Sequence, residues 1–508
     1  MGAQTPALPA FPESAMTAAT TPATTAGRRI FQNIRALGLA RVATLLSGLV
    51  TTAWTARALG PDSFGVLGFG TSMLAYAALF VNLGLSTYAV REISRDPGES
   101  GAKAAELADH VLTLRALLAL LVGALYAGFV LTLDKPGLVK TVLLVQAVQL
   151  LGNALLLDFV YQATERMGVI ATREIGTGFG IMVAMLALVH GPEDVAVAAA
   201  ITGGSFLVNA VLMLVRFSRD FRPPRPRVDL KVWAAILKVS APMAVSVFAW
   251  ALFSHLDLVM LGFLVPQHDV GLYAAVTKLL VLALTAGNIV LSAFMPQLAA
   301  AYGDTERMRE RMRDYATTIL GIGTLIAAGG ITLAPAILGV VYGPAYAAAA
   351  DSLRLIMISV AVVHVNLALG NPLLVWHRQT GYMTAILAGG AVNAALNALL
   401  IPRWGIEGSA MATIVAELTA MAGLAWQHRR AVGTLHLDIV ARAALCGLLA
   451  GTSTLALTHA FPETLAPHNP LLAVLVGGLL LTAVYAPAAL LCGLVRPSRL
   501  RRLMAAAA

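Results

Sequence analysis

Apolar residues run along this chain in stretches of about twenty, set off by short groups of glycine, proline and charged residues. At 1.5 Å per residue, a helical run of that length crosses the ~30 Å hydrocarbon core of a bilayer. Sliding such a window along the sequence predicts fourteen helices, near 37–57, 64–90, 108–132, 139–161, 171–190, 195–216, 234–264, 271–298, 315–334, 350–375, 380–401, 405–427, 440–460 and 471–494. Residues 334–350 are apolar too and read as a re-entrant or interfacial turn between the ninth and tenth spans.

Composition agrees with the pattern. Of 508 residues, 58% are hydrophobic and 12% charged, about half the usual charged fraction of a globular chain, so the solvent for this fold is lipid. The two cysteines, Cys446 and Cys492, lie inside apolar runs and support neither a disulfide framework nor a thiolate metal cluster. Residues 1–29 are rich in alanine, threonine and proline, lack an apolar core, and read as a disordered cytoplasmic tail.

The net charge of +9 follows the spans. With the N-terminus inside, 26 of the 35 lysines and arginines fall in cytoplasmic segments and four outside: Arg57, Lys135, Lys140 and Arg403. Lys/Arg bias in short loops sets orientation, so both termini and the basic stretch from Arg216 to Lys231 are expected in the cytoplasm of a bacterial inner-membrane protein, and nucleic acid is a poor alternative partner for the charge. The outward loops are short, at most about seventeen residues, which argues against a membrane glycosyltransferase or ligase. No G-x-x-x-x-G-K-[ST] occurs, so the chain is not itself a P-loop ATPase. The most economical reading is a transporter, not an enzyme, with no cofactor and no metal.

The 217–231 linker, with Pro223, Pro224 and Pro226, looks like a hinge dividing a 30–216 lobe of spans one to six from a 232–430 lobe of spans seven to twelve; residues 431–508 add two helices and a basic tail. Each lobe opens on the same pattern, Leu59-Gly60-Pro61-Asp62-Ser63-Phe64-Gly65 and Val265-Pro266-Gln267-His268-Asp269-Val270-Gly271. Six spans separate the copies, so the repeat is parallel, with its axis along the membrane normal.

At these residues the chain resembles the multidrug/oligosaccharidyl-lipid/polysaccharide exporter superfamily, and within it the Wzx-like polysaccharide biosynthesis flippases. The resemblance extends through Leu83-Gly84-Leu85, Ala89-Val90-Arg91-Glu92-Ile93, Val270-Gly271-Leu272-Tyr273, Tyr342-Gly343-Pro344-Ala345-Tyr346 and Gly405-Ile406-Glu407-Gly408-Ser409. It implies an all-α polytopic fold of the MATE-like flippase kind: two six-helix lobes around a cavity that opens alternately to each side, plus two C-terminal helices. The implied cargo is an undecaprenyl-diphosphate-linked oligosaccharide, moved with ion coupling for polysaccharide biosynthesis, with membrane lipids and possible polymerase and glycosyltransferase partners. Lipid II and a drug/cation antiport remain alternatives.

An ionisable side chain at mid-bilayer costs about 2.5–3.5 kcal/mol, which makes each one inside a span a functional candidate. Arg41, Arg115 and Lys278 are candidate cations for a diphosphate, with snorkelling to the headgroups as the alternative for the two arginines. Gln146, Gln149 and Asn153 recur at three and four residues and share a face of span four, suited either to sugar contact or to helix-helix hydrogen bonding. Asp257 and Glu417 are the acidic candidates for ion coupling, because a carboxylate in low dielectric exchanges its charge for a proton readily. Asp257 and Lys278 lie at similar depth on neighbouring helices and are expected to pair.

Overall fold

The computed structural model describes residues 23–95, 100–461 and 469–495, with side chains from Thr44 onward except at Ser100, Ala102, 245–247 and 249–254. Among the described residues every regular element is helical: α1 Ala23–Asn82, α2 Leu85–Ile93, α3 Ser100–Thr132, α4 Gly137–Gln146, α5 Val148–Ala154, α6 Asp158–Ala163, α7 Met167–Leu188, α8 Val195–Asp220, α9 Leu230–Leu264, α10 Gln267–Ala300, α11 Thr305–Thr332, α12 Ala334–Val341, α13 Ala350–Val375, α14 Gln379–Val432, α15 Leu437–Ala460 and α16 Pro470–Leu491.

Eleven helical segments among the described residues are long and apolar enough to cross a membrane, against fourteen expected. Two of the eleven contain turns where the sequence separates neighbouring spans. A straight α1 of 60 residues would reach about 90 Å, three bilayer cores, but it turns at Gly60, whose φ of 69° and ψ of 172° are non-helical. Glycine alone takes that conformation without strain, and Pro61 then opens the next helix with a pre-set φ. In α14 the turn is at Gly405, and the fold-back is tight: a Cβ on Gly408 would stand 2.5 Å from the Leu400 carbonyl oxygen.

Other elements depart from the expected spans. Helix α1 begins at Ala23, inside the segment expected to be a disordered tail. The second span is interrupted at Leu83 and Gly84, both at positive φ, before α2. The fourth span is broken into α4, α5 and α6, with Leu155 to Leu157 outside any helix. The apolar 334–350 stretch forms the short helix α12 and a 3-10 turn over Pro344–Ala349.

The basic linker is tied down along α3, although the sequence suggested a hinge. Arg222 forms a 2.6 Å ion pair with the buried carboxylate of Asp109, the Arg225 backbone N–H donates to Asp109 Oδ1 at 2.8 Å, and Arg227 pairs with Glu106 at 2.5 Å. Asp229 then caps α9 by accepting from the N–H groups of Lys231 and Val232. The C-terminal helices α15 and α16 pack on α11, where the Tyr485 hydroxyl donates to the Gly321 carbonyl at 2.7 Å.

Candidate functional site

The repeated pattern meets itself. A Cβ on Gly65 would stand 2.1 Å from the Gln267 carbonyl oxygen, and one on Gly271 would stand 1.8 Å from that of Pro61, so only glycine admits this approach of α1 to α10. Around it, Tyr346 donates to the Ala56 carbonyl at 3.0 Å and Lys135 donates to the Gly262 carbonyl at 2.9 Å. Arg57 reaches the carbonyls of Val340 and Val341, the exposed C-terminal oxygens of α12. This end of the bundle is therefore sealed between chain that precedes the linker and chain that follows it. Some 19 residues further along, roughly 30 Å of helix, Gly84 packs against the backbone of Ser240 and Ala244 beside Pro242.

Between these two contacts lies a cavity of about 220 Å³. Thr51, Thr55 and Thr71 of α1, Gln146 of α4 and Thr202 of α8 line one side; His255 of α9 with Thr277 and Lys278 of α10 line the other. Lys278 is exposed to this space on a helix whose residues 270–276 are buried, and among the described residues it makes no hydrogen bond or ion pair. Gln146 is 2% exposed and donates through Nε2 to the Leu67 carbonyl at 3.3 Å.

The expected pairing of Asp257 with Lys278 does not occur. Asp257 instead sits where α9, α10 and α14 meet and accepts three hydrogen bonds, from Tyr273 at 2.9 Å, Asn397 at 2.7 Å and Thr413 at 2.9 Å. Those neutral donors satisfy the carboxylate, so it needs no ammonium partner. Asn393 Oδ1 accepts from Asn397 at 3.0 Å, while Asn397 Oδ1 and the Ser409 hydroxyl have no partner among the described residues. A single carboxylate held among neutral hydrogen-bonding groups can exchange its charge for a proton without leaving the site. No group of three or more His, Cys, Asp and Glu side chains suited to a metal comes together among the described residues.

The other candidates are dispersed. Glu417 is buried on α14 and accepts from Asn366 of α13 at 2.6 Å. Arg115 is 2% exposed, and its guanidinium donates to the carbonyls of Asn153 at 2.5 Å and Leu156 at 3.2 Å, at the break after α5, where the Asn153 oxygen also accepts the Leu156 N–H at 3.4 Å. Asn153 is thus engaged by Arg115, also through its side chain at 3.4 Å, whereas Gln146 lies on the cavity; Gln149 is partly buried and outside the cavity lining. The side chain of Arg41 lies outside the described residues. Sequence reading missed Tyr273, Thr413 and Arg57 as working residues, although Tyr273 stands inside a short pattern that carried the family resemblance.

A bundle of membrane-length helices enclosing a polar cavity between its two halves defines a multi-pass membrane transporter. A family model described as polysaccharide biosynthesis protein matches residues 30–302, more than half of the chain, and the chain belongs to that family. A Shigella dysenteriae protein described as a candidate O-antigen transporter is 21% identical over 389 residues, spanning 76% of this chain and 97% of its own. Among solved structures, a lipid II flippase MurJ in an inward closed conformation superposes with a TM-score of 0.73 at 15% identity, covering 89% of this chain and 98% of its own. An inward-facing multidrug resistance MATE transporter of the MOP superfamily gives 0.61 at 14% identity, covering 77% and 95%. The chain shares the fold of these two solved transporters.

Proposed function

We propose that this chain is a flippase that carries a lipid-linked oligosaccharide of the undecaprenyl-diphosphate type across the bacterial inner membrane by alternating access, for polysaccharide biosynthesis. The observation that carries the reading is Lys278, an unpaired ammonium exposed to a cavity between the halves of a transporter bundle. A cation kept in a low-dielectric space without a partner is costly unless its counter-charge arrives with the cargo, and a diphosphate supplies one. The halves on either side of the 217–231 linker act as two lobes. Gln146 contributes to cargo contact from the cavity wall, and Asp257 and Glu417 serve ion coupling, with the oxygen cluster around Asp257 as the loading site. Both termini and the linker face the cytoplasm in this reading, which the lysine and arginine distribution supports. Polymerase and glycosyltransferases of the same route are the proposed protein neighbours.

The test is reconstitution of purified protein in liposomes with a polyprenyl-diphosphate-linked glycan. Wild type is expected to move the glycolipid between leaflets and Lys278→Ala to lose most of that activity while keeping its thermal stability. Equal flipping by both proteins removes Lys278 from the mechanism. Movement of lipid II in preference to other glycolipids would assign the chain to peptidoglycan precursors.

A further inference from the structure

Helices α7 and α8 leave a groove of about 880 Å³ between them, on the side of α7 turned away from α1. Gly178 marks the side that packs on α1, since a Cβ there would stand 3.5 Å from Ser47 Oγ. Gly168, Gly176 and Gly180 of α7 and Gly204 of α8 line the groove, and a Cβ on any of these four would meet open space. A glycine in a membrane helix gives up helix propensity in exchange for close approach by a neighbour, and here no neighbour in the described chain makes that approach. The wall between them is apolar, with Ile181, Val208 and Leu212. At the end near the linker the groove is lined by Arg173 and Arg216. Arg216 pairs with Asp220 at 2.9 Å; Arg173, 9% exposed, pairs with Asp158 at 2.8 Å and Glu174 at 3.6 Å, while its buried Nε has no partner among the described residues. One N–H is thus left over for an acceptor at this mouth. Toward the other end the groove shares a wall with the cavity of Lys278: Ala184 and Ile201 line the groove, and the residues that follow them, Met185 and Thr202, line the cavity.

Resting on the proposed flippase reading, we infer that the α7–α8 groove is the docking site for the cargo's polyprenyl tail as the lipid arrives from the cytoplasmic leaflet, with a phosphate oxygen accepting from Arg173 Nε at the mouth. Length selects this occupant over a membrane phospholipid. From Gly168 to Ala184 the groove follows roughly 24 Å of helix, more than the ~15 Å depth of one leaflet of the hydrocarbon core. A phospholipid acyl chain rooted at the inner headgroups ends at the midplane, whereas a polyprenyl chain is long enough to fill the groove beyond it. Continuity with the cavity points the same way, because a tail in the groove lies one helix wall from the space proposed for its head. The glycines then have a packing partner, the chain of the lipid itself.

The probe is undecaprenyl phosphate carrying a diazirine in its tail, photo-cross-linked to the purified full chain in liposomes and located by peptide mass spectrometry. Adducts are expected on α7 and α8, displaced by excess undecaprenyl phosphate and not by phosphatidylglycerol. The combined variant Gly180→Leu with Gly204→Leu places side chains in open space, so it should keep its unfolding temperature and lose labelling about tenfold or more. Gly176→Leu alone serves the same purpose if the pair unfolds. Equal displacement by phosphatidylglycerol would make the groove a general phospholipid surface and overturn the assignment, as would labelling elsewhere on the chain or wild-type labelling of a folded variant. Labelling needs no transport: its failure with glycolipid flipping intact overturns the groove alone, and labelling of folded protein that flips no glycolipid overturns the flippase reading alone.

Discussion

His268 Nδ1 lies 3.1 Å from Asp62 Oδ2, and the two residues occupy the same place in a seven-residue pattern repeated 206 residues apart. The same offset relates Gly65 to Gly271 and Pro61 to Gln267, the other members of the contact. Each copy thus places on its partner what the partner places on it, the reciprocity of a two-fold interface. Such reciprocity places a pseudo-two-fold axis between the two copies, and the glycine pair sets how closely the two helices approach.

Gly271→Ala is expected to force this seal apart. Its methyl group would collide with the Pro61 carbonyl, which is backbone and cannot rotate away, at a cost of about 1–3 kcal/mol. The readout is a cross-link: the paired substitutions Asp62→Cys and His268→Cys should form a disulfide readily with Gly271 present and poorly with alanine. Equal cross-linking would show that the glycines do not set the approach.

Asp257 depends on its three donors. Thr413→Val or Asn397→Leu should each lower stability by about 1–3 kcal/mol, since the carboxylate then lacks a partner in a dry site. Asp257 and Lys278 should act independently, with a double-mutant cycle closing within about 0.5 kcal/mol. Larger coupling in thermal unfolding would mean that the two charges meet in another state of the cycle.

Arg115 closes a helix break, so its removal should be a folding defect. Arg115→Ala removes the guanidinium from the Asn153 and Leu156 carbonyls and is expected to cost about 1–3 kcal/mol; Arg115→Lys, a point charge without the planar fork, should recover only part. If Arg115→Ala instead leaves the unfolding temperature unchanged and raises the glycolipid concentration needed for flipping, the residue contacts cargo.

Orientation is open to chemical labelling. A cysteine at position 225 on the linker should resist a membrane-impermeant reagent added to whole cells and react in inverted vesicles. Labelling from outside would reverse the topology.

The spans, the repeat and the family were legible in the sequence because each is a property of short stretches. Twenty apolar residues can only be buried in lipid, the turns at Gly60 and Gly405 carry their own glycine and proline chemistry, and lysine and arginine counts need no contacts. The partners of the charged residues were not legible. Depth along a helix ranked Asp257 beside Lys278, but depth does not fix azimuth: Tyr273, Asn397 and Thr413 reach Asp257 from two other helices, while Lys278 opens onto the cavity. Gln146 and Asn153 shared a predicted face, yet the break after α5 gave Asn153 to Arg115 and left Gln146 on the cavity wall. Hydropathy alone decides that a segment enters the membrane; which of its polar groups are satisfied there depends on neighbours on other helices, between 16 and 156 positions away for Asp257, and only tertiary packing brings those together.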